Sequence, residues 1–315
     1  MFKIGETPSF EANPIEHADF LEIECLRQSD RNASGADLSR ALTRVADNPS
    51  RDRAISDEPM EAAIEAAFSE LADRATHGGG PPHVYPFNVN EATQLIEYPG
   101  TRAGSWLYLL LLFATRMNMR ADRVQDGING TDLFERICCE VAKNYWGDRT
   151  QAVVFGTARR ADDNEVGSFV EAVNELCAQM GEGVRFFGHG NAVPSAQDGN
   201  LDVVVWKPFS DSRVGKLIGF GQCKTGTHWK TGLFELVPEG FCKKWILTSP
   251  AVTPVRLFFL ASRIRQNDWY DCNVDAGIIF DRCRILDYAP RMPDLMGDIM
   301  TWTRAAIASQ GLRAI

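Results

Sequence analysis

The chain has 315 residues, 44% of them hydrophobic and 24% charged, with a formal net charge of -9. That length holds two domains, or one large one with additions, and that apolar fraction supports a sizeable core. The acidic balance excludes a globally basic nucleic-acid binder, so any such contact has to come from a local basic patch.

The 8 cysteines contain no C-x-x-C pair and no Cys/His spacing of the metal-binding kind. This pattern fits reduced thiols in a cytoplasmic protein and argues against zinc. The sequence opens without a basic segment followed by an apolar core, so no signal peptide is expected. The longest apolar run, residues 106–114, is well short of the roughly 20 residues a membrane-spanning helix needs.

In chain order, helices are expected over 16–28, 36–46 and 58–76. In the third, Met60, Ile64, Phe68, Leu71 and Ala75 recur at helical spacing behind Asp57 and Pro59. Residues 77–86, with G-G-G-P-P, read as a loop, and 105–119 as a buried apolar helix. Residues 1–125 thus read as a helical N-terminal domain that could dock a partner or position a substrate; packing around a core explains the same pattern.

From residue 126 a second domain is expected, reaching to 315. Residues 129–147 form one helix, started by Thr131 or Asp132 and stopped by Gly147, with Leu133, Phe134, Ile137, Cys138, Val141 and Tyr145 on its apolar face. Glu135 sits beside that face; its spacing from Asp132 also suits a capping box. A strand at 152–155, a helix at 165–180 and a short strand at 184–187 follow. The Gly-rich segment 188–200 lacks the strand-then-helix context of a phosphate-binding loop.

Next come two β-rich runs, D-G-N-L-D-V-V-V-W-K and K-L-I-G-F-G-Q-C-K, joined by a short loop. Alternation puts Asp202, Val204 and Trp206 on one face of the first, and Ile218, Phe220, Gln222 and Lys224 on one face of the second. An acid, a carbonyl-bearing side chain and a lysine can therefore converge where an apolar strand pair should carry none. Beyond them a helix over 233–247, strands at 255–261 and 276–280 and a closing helix at 293–308 complete an α/β domain with a mixed sheet.

A Glu-bearing helix, an Asp at the start of one strand, an (E/Q)-x-K at the end of the next, then a helix and a strand resemble the PD-(D/E)xK nuclease superfamily, the restriction-endonuclease-like fold. The resemblance covers roughly residues 129–285. It departs from the family pattern where no Pro precedes Asp202 and where Gln222 replaces the usual acid.

The resemblance implies that Asp202, Gln222, Lys224 and Glu135 are catalytic. It also implies that Asp202, Gln222, the backbone carbonyl of Cys223 and Glu135 hold Mg²⁺ or Mn²⁺. Mg²⁺ takes oxygen ligands from one or two carboxylates with water and phosphate. Gln222 offers only a neutral oxygen, so Glu135 or Asp198 would have to make up the charge. Lys224 would orient the attacking water or stabilise developing charge. Asp198 also reads as a plain turn residue.

His228, Lys230, Lys243 and Lys244, with Trp229, are candidates for a nucleic-acid groove, since phosphates attract lysines and bases stack on aromatics. Arg159, Arg160, Arg263 and Arg265 are weaker candidates, and His189 reads as a loop residue. A nucleophilic mechanism lacks partners: no G-x-S-x-G is present, and alternation turns Cys223 away from Gln222 and Lys224.

The function expected is a magnesium-dependent nuclease, DNA before RNA. No ATPase motor or DNA-reading module is recognisable in the sequence, so a partner protein is expected to supply specificity or activation. By analogy, nuclease-like folds with unfamiliar helical additions belong to bacterial restriction and antiphage defence. The alternative is a non-catalytic nucleic-acid-binding or assembly subunit that retains a weakened site, which Gln222 favours.

Overall fold

The computed structural model describes residues 2–46, 57–80, 83–155, 169–188 and 199–313. Asp198, His189, Arg159 and Arg160 lie outside the described residues, as do the first residues of the helix expected from 165 and most of the Gly-rich segment.

The N-terminal region carries helices α1 (Pro14–Arg27), α2 (Gly35–Ala46), α3 (Asp57–His77) and α4 (Trp106–Arg116). It also carries a small antiparallel sheet that helical periodicity does not announce: β1 (Asn32–Ser34), β2 (Asn88–Asn90) and β3 (Leu95–Glu97), with β3 central. Helix α4 is buried all round, as an apolar run without a polar face must be. Among the described residues no helix is long and apolar enough to cross a membrane.

A two-residue hairpin, β4 (Val124–Gln125) and β5 (Ile128–Asn129), leads into α5 (Gly130–Trp146). The helix starts at Gly130, one or two residues before Thr131 or Asp132: the Asn129 side chain caps it by accepting from the Thr131 N–H at 3.1 Å. Asp132 and Glu135 therefore do not form its capping box. Gly147 ends it with φ 80°, as expected.

The main sheet consists of β6 (Gln151–Val154), β7 (Val203–Lys207), β8 (Leu217–Lys224), β9 (Val255–Leu260) and β10 (Ile278–Phe280), side by side in that order. Strands β6, β7 and β8 pair antiparallel, and β8, β9 and β10 pair parallel. Helices α6 (Phe169–Met180), α7 (Pro238–Trp245), α8 (Gln266–Ala276), α9 (Arg282–Tyr288) and α10 (Pro293–Ser309) complete the architecture, a mixed five-stranded sheet with helices on both faces.

Three expectations need correction. Residues 184–187 make only an isolated bridge, Phe186 to Ile246, because Gly183 and Val184 take φ of 93° and 67° and break the extended chain. The helix expected over 233–247 splits into a 3-10 turn at Trp229–Phe234 and α7, since Pro238 has no N–H to continue a ladder and starts a new helix. Residues 266–276 are helical, and the strand expected from 276 begins at Ile278 after Gly277 turns the chain at φ 81°.

The two faces of β8 are unequal. Ile218 and Phe220 join Val204 and Trp206 in a core with α6 and α7. Gly219 and Gly221 face the α5 side, where a Cβ on Gly219 would fall 2.9 Å from Trp146 and one on Gly221 2.9 Å from Phe259. The missing side chains let that layer close onto the strand, and the next residue on that face, Cys223, packs against it too.

Packing does not pause at residue 125. One apolar cluster includes Phe2, Leu21, Phe68 and Leu110 together with Phe134, Val203, Phe259 and Trp302. Within it lies a buried ionic cluster: Asp19 of α1 meets Arg74 of α3 at 2.7 Å, Arg116 of α4 at 2.6 Å and Arg282 of α9 at 2.9 Å. Glu22 accepts from the hydroxyls of Tyr85 and Tyr108 at 2.8 and 2.7 Å.

Candidate active site at the end of strand β8

Pairing β7 with β8 sets Val203 opposite Gly221, so one step further Asp202 stands opposite Gln222. The Asp202 N–H donates to the Gly221 carbonyl at 2.9 Å, and its carboxylate accepts the Cys223 N–H at 2.7 Å. The side chain that opens one strand is thus tied to the backbone of the other, between Gln222 and Lys224. Burial pushes its pKa up to about 6, against the Cys223 N–H and the Lys224 charge, which favour the anion, and with the nearby Glu235 carboxylate adding to the rise. A carboxylate this reluctant to ionise gains from a cation beside it.

On the same face Gln222 is buried, and its amide donates to the Glu235 carboxylate at 2.7 Å. That bond orients the amide, because a flip would set oxygen against carboxylate. Its carbonyl oxygen, pointing the other way, is buried without a hydrogen-bond partner. Buried acceptors are rarely left so, and an unmade bond there costs about 1–3 kcal/mol.

The Lys224 ammonium donates to the same Glu235 oxygen at 2.6 Å. Burial would raise the Glu235 pKa, but the Lys224 hydrogen bond and charge, with help from Gln222, hold it below the ordinary carboxylate range. Glu235 escapes a reading by alternation because it lies just past the 3-10 turn, 13 positions after Gln222. An acid within the helix expected over 233–247 is ordinary, so the sequence carries no signal for it.

Glu135 is buried on α5, which covers the other face of the sheet. The thiols of Cys138, one turn on from Glu135 along α5, and of Cys223 hydrogen-bond to each other. Burial raises the pKa of both, and the charges of Glu135 and Asp202 raise them further. Thiols so disposed are poor nucleophiles, and Cys223 turns away from Gln222 as alternation required. The structure brings Asp202, Gln222 and Lys224 together, adds Glu235, and places Glu135 on α5, close enough to Cys138 and Cys223 for its charge to act on both thiols. Among the described residues no group of three or more His, Cys, Asp or Glu side chains is arranged to hold a metal ion.

The nucleic-acid candidates separate. Trp229 is 7% exposed, belongs to a core with Phe258 and Leu260, and shows only a small edge of accessible surface to a neighbouring cleft. His228 and Lys230 line the same cleft, of about 420 Å³, whose walls include neither Lys243 and Lys244 nor Asp202, Gln222 and Lys224. Lys243 pairs with Glu239 at 2.6 Å, and Lys244 lies over the Trp245 ring at 4.4 Å. Arg263 is no solvent-facing charge: it pairs with Asp73 at 2.5 Å and Asp281 at 3.2 Å.

Two variants probe this geometry. Gly232 lies against Lys224, and a Cβ there would fall 2.5 Å from the lysine Cε. The far end of a lysine yields easily, so Gly232→Ala should fold normally yet dislodge the ammonium from Glu235, and any Lys224-dependent activity should drop about tenfold or more. Circular dichroism beside an activity assay checks both halves.

Asp202→Asn should stabilise the metal-free protein, by on the order of 1–2 kcal/mol at pH 8 once partial exposure is allowed for. A raised carboxyl pKa means the folded chain holds the proton more tightly. Ionisation therefore begins to cost stability above the unfolded value near 3.9 and costs it fully above about 6. The gain should vanish near pH 4 in urea titrations at the two pH values, and an equal gain at both would contradict the raised pKa.

Comparison with protein-family models, curated proteins and solved structures finds no match to this chain.

Proposed function

We propose that this chain is a metal-dependent nuclease that hydrolyses phosphodiester bonds, DNA before RNA, at Asp202, Gln222 and Lys224. The observation that carries the reading is the buried Gln222 carbonyl oxygen without a hydrogen-bond partner, on a residue that strand register sets opposite Asp202. The order of elements also supports the restriction-endonuclease-like fold: a Glu-bearing helix α5, the Asp strand β7, the Gln-x-Lys strand β8, helix α7 and strand β9.

The donors fit Mg²⁺ or Mn²⁺ in kind, being hard oxygens of one carboxylate and one amide with the Cys223 carbonyl in reach of the same strand end. Such an ion, when bound, supplies polarisation of the phosphoryl oxygen and a more acidic water. Asp202 holds negative charge at the strand end. Glu235 keeps the Lys224 ammonium in place and returns to the site the carboxylate that Gln222 lacks. Lys224 offers charge to a phosphate oxygen or orients a water.

Glu135 of α5, whose charge reaches both Cys138 and Cys223, is the helix acid of this reading, a catalytic group and a candidate ligand that adds negative charge to the site. The expected setting is a bacterial restriction or antiphage system in which a partner protein supplies specificity or activation. Incubation of plasmid and single-stranded DNA, and of RNA, with Mg²⁺, Mn²⁺ or EDTA tests the reading. Metal-dependent cutting lost on Asp202→Ala supports it, and intact substrates with pure protein and with its partner complex sink it.

A second reading has one observation in its favour: Gln222 and Lys224 both already donate to Glu235. In a non-catalytic nucleic-acid-binding or assembly subunit, that closed arrangement is the resting structure of a weakened site. Nucleic-acid or partner binding without any cutting would then be the outcome.

A further inference from the structure

Chain leaving β8 and chain leaving β9 form two sides of the 420 Å³ cleft, and the start of α1 forms a third. Ligands in open α/β sheets gather at the carboxyl ends of the strands, and this is such an end. Deep in the wall is Arg116, 2% exposed, its Nε bound to Asp19 at 2.6 Å and its plane over Phe2 at 4.5 Å. Its Nη1 is buried without a hydrogen bond and pairs only in charge with the Glu16 carboxylate at 3.7 Å. An arginine in the wall of a cavity whose N–H groups are not all hydrogen-bonded has donors left that a small shift of Glu16 would turn to an acceptor in the cavity.

The rim points the same way. Lys230 and Arg265 share one carboxylate, Asp268, at 3.1 and 2.8 Å. Two cations on one acid leave positive charge over. The first turn of α1, capped by Asn13, adds the positive end of a 14-residue helix. Glu11 and Glu16 also line the cleft. Glu16 is committed in part to the Phe2 N–H at 3.3 Å, and these two acids set the cleft against a highly charged polyphosphate and in favour of a single phosphate group.

We propose that this cleft is a phosphate-binding site that takes one phosphodiester of a nucleic-acid strand, or a free phosphate of the same chemistry, between Arg116, Lys230 and Arg265. Only Thr225, Gly226 and Thr227 separate Lys224 from His228 on its wall, and the Gly226 N–H anchors that link to the Ala114 carbonyl at 2.9 Å. Four residues span at most about 14 Å. A strand rising about 3.4 Å per nucleotide can therefore occupy both places, and that extension, but not phosphate binding itself, rests on the nuclease reading.

Binding is measured in EDTA, so that it does not depend on cutting. Inorganic phosphate is titrated calorimetrically at constant ionic strength, and a labelled 12-nucleotide single strand by fluorescence polarisation. The test variant is the double substitution Lys230→Ala/Arg265→Ala on the exposed rim, with Lys243→Ala, outside the cleft, as the charge control. We expect the rim variant to weaken strand binding at least tenfold, the control to leave it unchanged, and inorganic phosphate to compete.

Phosphate binding lost in the rim variant, with no strand binding by any form, assigns the cleft to a free phosphate. Equal weakening by Lys243→Ala, or binding of both probes indifferent to the rim, overturns the proposal. So does the absence of any phosphate or strand binding by the wild-type chain.

Discussion

Lys224→Ala lowers metal-dependent cutting by about 10²–10³-fold, the usual loss when one group that stabilises charge at a reacting phosphate is removed. Asp202→Ala lowers it at least as far, because it removes the carboxylate that the start of β7 brings to the site. The fold should survive both: each side chain sits at a strand end, and Lys224 is 29% exposed. Single-turnover cutting of a labelled duplex at saturating Mn²⁺ gives the rates. The double variant should cut no more slowly than the slower single one, since residues that act as a unit do not add.

Glu235→Gln sharpens the test. It keeps a hydrogen-bonding side chain of the same size but removes the charge that holds Lys224. If Glu235 supplies the charge missing at Gln222, the Mn²⁺ requirement should rise at least tenfold. If Glu235 only closes a weakened site, the variant should free Lys224 and leave metal dependence where it was. Cutting by Asp202→Ala at the wild-type rate would remove the site from consideration.

The strand pair was legible because its information is local. A period of two places Gln222 and Lys224 on one face of their strand and Asp202 with Val204 on one face of the other, and the register of the pair, Val203 opposite Gly221, brings those two faces together. Glu235 was not legible for the opposite reason. Its approach depends on where Pro238 breaks a helical pattern and on how a 3-10 turn folds back over Lys224. Neither is a matter of periodicity.

The cleft was half visible. His228 and Lys230 were readable as candidates for a nucleic-acid groove near the site, but Arg116 comes from the end of an apolar helix and Arg265 from beyond β9. Only the packing of α1 and α4 against the strand ends makes them neighbours. Trp229 lines the same cleft beside His228 and Lys230, but its burial, which composition does not show, gives most of its ring to the core.

Asp19→Ala should cost about 3–5 kcal/mol, the usual penalty for removing one partner of a buried ion pair. Charged residues on helices ordinarily face water, so Asp19, Arg74, Arg116 and Arg282 carry no sequence sign of meeting in the interior. Yet the side chains of Asp19, Arg74 and Arg282 are 0% exposed, and Asp19 is the carboxylate on which all three arginines converge. Without it Arg282 still bonds the Ala261 carbonyl at 3.0 Å, but its charge and those of Arg74 and Arg116 repel at close range.

Burial alone would raise the Asp19 pKa; Arg282, Arg116 and Arg74 outweigh it and hold the carboxyl well below the usual range. A depressed carboxyl contributes stability above the unfolded value near 3.9 and loses it as pH falls. The wild-type chain should therefore lose stability steeply below about pH 4, and Asp19→Asn should show a shallower acid limb from a lower start. Urea titrations from pH 7 to pH 3 give both.

The consequence reaches the site. Arg116 is at once a partner of Asp19 and the wall of the cleft, and α4 holds the Gly226 link by which β8 leaves the sheet. Loosening the ionic cluster should therefore weaken phosphate binding as well as stability, whereas Lys230→Ala/Arg265→Ala should weaken binding alone.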